Sequence, residues 1–71
     1  MKNRTYSYRT DAIHYEIVNP IEDAGEITDA YASFDIDAIA DEILENKGGY
    51  RVADYITPDD FWDIVMDNAL A

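Results

Sequence analysis

Cysteine is absent from this 71-residue chain, histidine occurs once, and only five residues are Lys or Arg. Without cysteine there are no disulfides, and the usual thiolate and imidazole ligand sets for zinc cannot be assembled. No stretch approaches the roughly 18 consecutive apolar residues of a membrane span. Residues 1–9 lack the apolar core of a signal peptide. We therefore expect a cytoplasmic protein that is stabilised by packing alone.

The short length limits how much core the chain can build. A chain of this size buries only about 60% of the surface that its unfolded form exposes. Six Tyr, two Phe and one Trp nevertheless accompany many aliphatic residues, and this content is typical of folded proteins rather than disordered ones. We expect a single domain over residues 1–71 without a deep active-site cavity.

Carboxylates dominate the charge, with sixteen Asp and Glu and a net charge of −11. Residues 10–46 contain eleven of them and no Lys or Arg. A surface of one sign repels nucleic acid and anionic membranes and attracts basic surfaces. We therefore expect a basic protein partner, itself a nucleic-acid-binding protein or complex, with no direct nucleic-acid or membrane binding. Halophilic adaptation is an alternative without functional content, because Asp outnumbers Glu eleven to five.

Two stretches in the first twenty residues alternate between apolar and polar side chains. This alternation, over 5–8 and again over 13–17, predicts two strands joined by a turn at Thr10-Asp11. The second strand should end before Pro20, which has no N–H for a sheet ladder. Residues 21–33 fit either a short helical turn or an ordered acidic loop.

Two amphipathic helices are predicted in the remainder. Asp35 is placed to cap the first helix, and Gly48-Gly49 to end it. Residues 50–56 fit a third strand. Thr57, Pro58 and Asp60 then form the start signal of a helix over about 58–69. The apolar residues at helical spacing, predicted to face the core, are Ile36, Ile39, Ala40, Ile43 and Leu44 in the first helix and Phe61, Trp62, Val65, Met66 and Ala69 in the second.

These elements predict an α+β fold. It has a small three-stranded, mainly antiparallel sheet and two amphipathic helices on one face, in the order ββαβα. Each helix should carry acids every four residues, which stacks carboxylates about 6 Å apart along the axis without compensating cations. Helix capping would account for Asp35, Asp37, Asp59 and Asp60, but not for acids farther along. The predicted partner-binding residues are Asp37, Asp41, Glu42, Glu45, Asp59, Asp60, Asp63 and Asp67, with Glu22, Asp23, Glu26 and Asp29 of the acidic segment.

Other chemistries fit the sequence less well. Asp35-Ile36-Asp37 begins like a calcium loop, but Ala40 stands where glycine is needed and Asn46 where the bidentate Glu is needed. Exposed, numerous carboxylates do not form the separated pair that acid–base catalysis requires. His14 fits a sheet surface, and Arg4 and Arg9 with the nearby tyrosines fit strand packing better than a partner-binding edge. We expect no enzyme, no catalytic residue, no metal site and no cofactor.

The small size, the missing cysteine, the acidic run from Asp11 to Glu45 and the aspartates at 59, 63 and 67 together resemble the small acidic inhibitors of phages and mobile elements. That group includes anti-CRISPR and anti-restriction DNA mimics. The resemblance implies a target that is a CRISPR effector complex or a nuclease, blocked where it would bind DNA. The alternative is an acidic interaction module, such as an antitoxin, an immunity protein or an adaptor, that docks a basic partner.

Overall fold

Helices and one small hairpin make up the structure, a computed structural model that describes residues 4–25 and 28–70. The fold is α+β, as expected, but the described residues contain two strands, so the prediction of three strands in the order ββαβα is wrong. None of the helices in these residues has the length and apolar character that crossing a bilayer requires. In chain order the elements are α1 (Arg9–Ile13), a π-helical segment (His14–Val18), α2 (Asn19–Ala24), α3 (Ala30–Ser33), α4 (Ile36–Ile43), β1 (Leu44–Asn46), β2 (Tyr50–Val52) and α5 (Pro58–Asp67).

The predicted N-terminal hairpin is wrong, because residues 9–24 form helix without interruption. Ile13 and Ile17 fit the period of a strand and that of a helix equally well. Val18 helps to decide between them, because burial of the adjacent residues Ile17 and Val18 fits a helix face and not an alternating strand. Tyr15, which a strand would have buried with its two isoleucine neighbours, is instead 51% exposed.

The π-helical segment lies directly before the only proline inside this helical run. The N–H of Asn19 donates to the carbonyl of His14, five residues back. Pro20 has no N–H to donate, and its ring would clash with a carbonyl four residues back in a regular α-helix. A wider turn at this point relieves the clash, so the helix continues through Pro20 instead of stopping there.

One residue of the predicted first strand does pair with the hairpin. Tyr6 N donates to Tyr50 O at 2.8 Å, and Tyr50 N donates to Tyr6 O at 2.7 Å. Gly49 makes this approach possible, with φ at +134°. A Cβ there would overlap Thr5 Cγ2 and lie 2.9 Å from Tyr6 O, so the N-terminal segment could not sit against β2.

Helix α4 begins as predicted and ends earlier than predicted. The Asp35 carboxylate accepts from Ala38 N at 3.3 Å, which confirms the cap. The predicted core face is buried at Ile36, Ile39, Ala40 and Ile43. The chain then turns directly into β1, so Gly48-Gly49 belongs to the hairpin turn and not to a helix C-cap. The antiparallel pairs are Leu44 with Val52, Glu45 with Arg51 and Asn46 with Tyr50.

The capping signal of α5 is confirmed in both directions. Asp60 N donates to Thr57 Oγ1 at 3.1 Å, and Thr57 N donates to an Asp60 carboxylate oxygen at 3.2 Å. The predicted core face is wrong in part. Val65 is buried, but Trp62 is 38% and Met66 65% exposed. The face that α5 turns to the core consists of Phe61, Ile64, Val65 and Asn68.

One hydrophobic cluster joins the helical elements. Helix α4 packs against both the π-helical segment and α5, while α1 packs on β2. The far end of α5 is held by backbone hydrogen bonds, from Asp35 N to Asn68 O and from Leu70 N to Ser33 O, each 2.9 Å. The buried members of the cluster are Ile13, Ile17, Val18, Ile21, Ala30, Phe34, Ile36, Ile39, Ala40, Ile43 and Val65.

Replacing the α5 cap should destabilise the protein measurably. We expect Thr57→Ala to lower the free energy of unfolding by about 1 kcal/mol, because it leaves Asp60 N without its acceptor. Urea unfolding followed by circular dichroism measures the change. Asp63→Asn, in the same helix but outside the cap, is the control and should change the free energy far less. Equal effects of the two substitutions would contradict a stabilising role for the cap.

Candidate functional site

The site is built from carboxylates, so their partners decide which of them are available to another molecule. Fifteen of the sixteen lie in residues 4–25 and 28–70; Glu26, one of the predicted partner-binding residues, lies outside them. Ten of the fifteen accept hydrogen bonds or pair with cations of the same chain. These ten are Glu16, Glu22, Asp29, Asp35, Asp37, Asp41, Glu42, Glu45, Asp54 and Asp60.

The acids on one side of α4 share a single arginine. Arg9, on α1, places Nη1 3.1 Å from Asp37 Oδ1 and Nη2 3.0 Å from Asp41 Oδ1. The expectation that no cation compensates this pair is therefore wrong. The hydrogen bond to Asp37, with a further one to Asp41, raises the pKa of Arg9 above its ordinary value. The two carboxylates stay 80% and 77% exposed, so the link to each is modest in strength.

The other two predicted acids of this region have different partners. Glu42 accepts from Asn68 Nδ2 at 3.0 Å, which connects α4 to the end of α5. Glu45 lies in β1 and not on a helix ridge as predicted. It pairs with Arg51, whose Nε is 3.5 Å away without forming a hydrogen bond, and with Lys47 at 3.9 Å. Arg51 also pairs with Asp54.

The acidic segment 22–29, which begins inside α2, has largely local roles. Glu22 accepts from Ala30 N at 3.1 Å, and Asp29 caps α3 by accepting from Ala32 N at 3.3 Å. The short helical turn is confirmed at α3, and residues 21–24 continue α2, while residues 26 and 27 of the segment lie outside the described residues. Asp23 is exposed and has no partner among the described residues.

Aromatic side chains cluster near the N terminus. Tyr6 is buried, stacks on Tyr15 with centroids 5.8 Å apart, and donates its hydroxyl to Glu16 at 3.0 Å. Arg4 lies 5.2 Å from the centre of the Tyr6 ring. Burial, together with the hydrogen bond to Glu16, raises the pKa of Tyr6 above its ordinary value. His14 is exposed and its ring meets that of Tyr15 edge-on. It lies in the π-helical segment and not on the predicted sheet surface.

Helix α5 is where unpartnered carboxylates form a row. Asp59, Asp63 and Asp67 are all exposed and have no ion pair or hydrogen bond within residues 4–25 and 28–70. At about 100° per residue, Trp62 and Met66 fall beside this row, on the same outward side of the helix. We call these five residues the α5 face. Asp60 lies on the opposite flank of the row and is held in the cap.

Phe61 contacts the Trp62 ring from the side of the hydrophobic cluster. The two rings meet in an edge-to-face contact, with centroids 4.9 Å apart and planes at 86°. Phe61 in turn packs against the hydrophobic cluster. Sequence reasoning missed this exposed aromatic because it placed Trp62 in the core. The stripe at 61, 64, 65 and 68 was the signal that could have found it.

No family model, curated protein or solved structure matches this chain. The geometry of its own residues therefore carries the functional conclusion. In the part of the chain that the structure describes, there is no pocket and no group of three or more His, Asp or Glu arranged to hold a metal ion. The feature that stands out is the α5 face.

The Arg9 link should contribute a small, salt-dependent stabilisation. We expect Arg9→Gln to lower the free energy of unfolding by roughly 0.5 kcal/mol in dilute buffer, as exposed pairs do, and by less in 0.5 M NaCl, a concentration of roughly three times physiological ionic strength. Urea unfolding at both salt concentrations measures this. In an Asp37→Asn, Asp41→Asn background the same substitution should have almost no effect. An undiminished effect there would mean that Arg9 acts through its packing.

Tyr6 should make stability fall at alkaline pH. Its raised pKa means that the folded protein keeps a proton that the unfolded chain releases, so this contribution is present below about pH 10 and is lost as pH rises through the folded pKa. We expect Tyr6→Phe to flatten the alkaline decline in the free energy of unfolding. Urea titrations between about pH 8 and 11 measure it. Tyr8→Phe, at an exposed ring, should follow the parent protein; identical slopes for all three proteins would contradict the assignment.

Proposed function

We propose that this protein is an acidic inhibitor that occupies a basic nucleic-acid-binding surface of a target protein. The target class that fits best is a CRISPR effector complex or a nuclease, with the inhibitor acting as a DNA mimic. One observation carries the proposal: three carboxylates in a row on α5 are left without partners, although ten others in the described residues have them.

Stability alone does not explain this row. Like charges four residues apart on a helix repel by a few tenths of a kcal/mol per pair, and one lysine in the row would relieve the repulsion. Arg9 and Arg51 instead pair with acids outside α5. Exposed carboxylates can form charge-assisted hydrogen bonds with Arg and Lys of a partner, as phosphates do. A groove that binds DNA offers those cations.

Inhibition of this kind requires no catalysis. The protein would act by occupancy, with no cofactor and no metal ion, and its affinity would depend on opposite charge. Electrostatic complementarity raises the association rate and makes binding fall as salt rises. Both properties suit a competitor that must reach a groove before the nucleic acid does.

The second candidate is an antitoxin, an immunity protein or an adaptor that docks a basic protein outside its nucleic-acid site. The exposed Trp62 favours it, because an aromatic anchor is typical of protein–protein interfaces and has no counterpart among backbone phosphates. The two candidates differ in one measurable respect: only the mimic excludes nucleic acid from its partner.

Charge removal on α5 should weaken inhibition. We expect Asp63→Asn with Asp67→Asn to raise the concentration needed for half-displacement about tenfold, corresponding to about 1.4 kcal/mol for two lost charge pairs. Fluorescence anisotropy of a labelled DNA duplex, bound in turn to purified CRISPR effector complexes and nucleases, measures displacement. Sensitivity to NaCl should also fall in the double variant.

The matched control is Asp37→Asn with Asp41→Asn, which makes the same change in net charge on α4. Because Arg9 already pairs with both carboxylates, this variant should displace the duplex nearly as well as the parent. Urea unfolding of both variants checks that the fold is intact. A target that holds the protein and the duplex at the same time would contradict mimicry and favour the second candidate.

A further inference from the structure

The geometry points to a mixed interface on α5: the α5 face docks on a cationic protein surface that has an apolar recess for the Trp62 ring. This inference rests on the proposed function for the basic character of the partner, and it adds what else that partner must contain. A surface that offers only cations, as a generic polyanion-binding groove does, would leave the apolar flank of the α5 face, formed by Trp62 and Met66, unmatched.

The charge on α5 is too sparse to act alone. From Asp59 to Asp67 the helix rises about 12 Å and carries three unpartnered carboxylates, whereas duplex DNA carries about seven charges over the same length. A competitor with fewer than half the charges releases fewer counterions from the groove. Binding that competes with DNA therefore requires a contribution that DNA does not make.

Trp62 and Met66 supply such a contribution. They lie one turn apart on α5, are 38% and 65% exposed, and border the row of carboxylates. Large aromatic side chains at the centre of an interface, surrounded by polar groups, provide most of the affinity in many complexes. Phe61 holds the Trp62 ring edge-to-face from the core side, so little side-chain freedom remains to be lost on binding.

A second copy of this chain does not fit the same surface. A two-fold contact through Trp62 would bring two rows of three carboxylates together, in a protein whose net charge is −11. Like charges placed opposite each other across an interface oppose association. Charge complementarity instead selects a cationic occupant, and the exposed apolar pair selects one with an apolar recess or stripe.

Two synthetic peptides of equal charge test this directly. The first is an amphipathic helical peptide with leucines on one face and lysines on the other, and the second is an oligolysine with the same number of lysines. Trp62 is the only tryptophan, so its emission reports on the α5 face without a label. We expect the amphipathic peptide to bind about tenfold more tightly, a difference that corresponds to burial of one large side chain, and to shift the emission to the blue.

Three substitutions localise the effect. Trp62→Ala should abolish the preference for the amphipathic peptide while leaving oligolysine binding unchanged. Because this variant has no tryptophan, calorimetric titration measures its affinities and those of the parent. Met66→Asn, at a more exposed side chain, should reduce the preference several-fold, and it keeps the test decisive if Trp62→Ala does not fold. Tyr55→Ala removes an aromatic ring that is 73% exposed and lies outside α5, so it should have no effect.

Equal affinities for the two peptides, or unchanged emission with the amphipathic one, would overturn the inference. So would sedimentation that reveals a dimer disrupted by Trp62→Ala, because the occupant would then be a second copy. The proposed function fails separately. If the peptides bind as expected but the protein displaces DNA from no target, mimicry is excluded and the mixed interface is retained. If Trp62→Ala and Met66→Asn displace DNA from a target as well as the parent does, the proposed function is retained and the mixed interface is excluded.

Discussion

Repulsion among carboxylates is the constraint on which this fold depends. Five cations cannot neutralise sixteen acids, so the chain relies on other donors. Backbone N–H groups at helix starts donate hydrogen bonds to the carboxylates of Asp29, Asp35 and Asp60, and Ala30 N donates to Glu22. Side-chain donors supply the rest, from Tyr6 to Glu16 and from Asn68 to Glu42. Neutral donors thus hold acids in place without reducing the net charge of the surface.

The sequence signals that predicted structure correctly are those in which local chemistry is decisive. The cap at Thr57 and the cap at Asp35 each satisfy backbone groups within one helical turn, and both were confirmed. The buried stripe of α4 was also predictable, because its period fits only a helix. The N-terminal helix was not, since Ile13 and Ile17 fit two periods and Pro20 argued for an end to regular structure. The wide turn that accommodates Pro20 has no signature in composition.

The candidate site, too, was predicted from the sequence only in part. The row at Asp59, Asp63 and Asp67 was predicted from spacing alone, and its exposure follows from the helix period. The partners of Asp37 and Asp41 were not predictable, because Arg9 is twenty-eight residues away from Asp37 in sequence and reaches it only after the N-terminal helical run packs against α4. Trp62 was misassigned because large aromatic residues are usually buried, and only the packing angle of α5 decides which of its two apolar flanks meets the core.

Both ends of α5 are fixed to the rest of the molecule. Its first turn packs Phe61 against the hydrophobic cluster, and the backbone bonds of Asn68 and Leu70 to the segment before α4 hold its last turn. The consequence is mechanical. A partner that pulls on the outward side of this helix would have to break contacts at both of its ends, so α5 would not separate from the cluster one turn at a time.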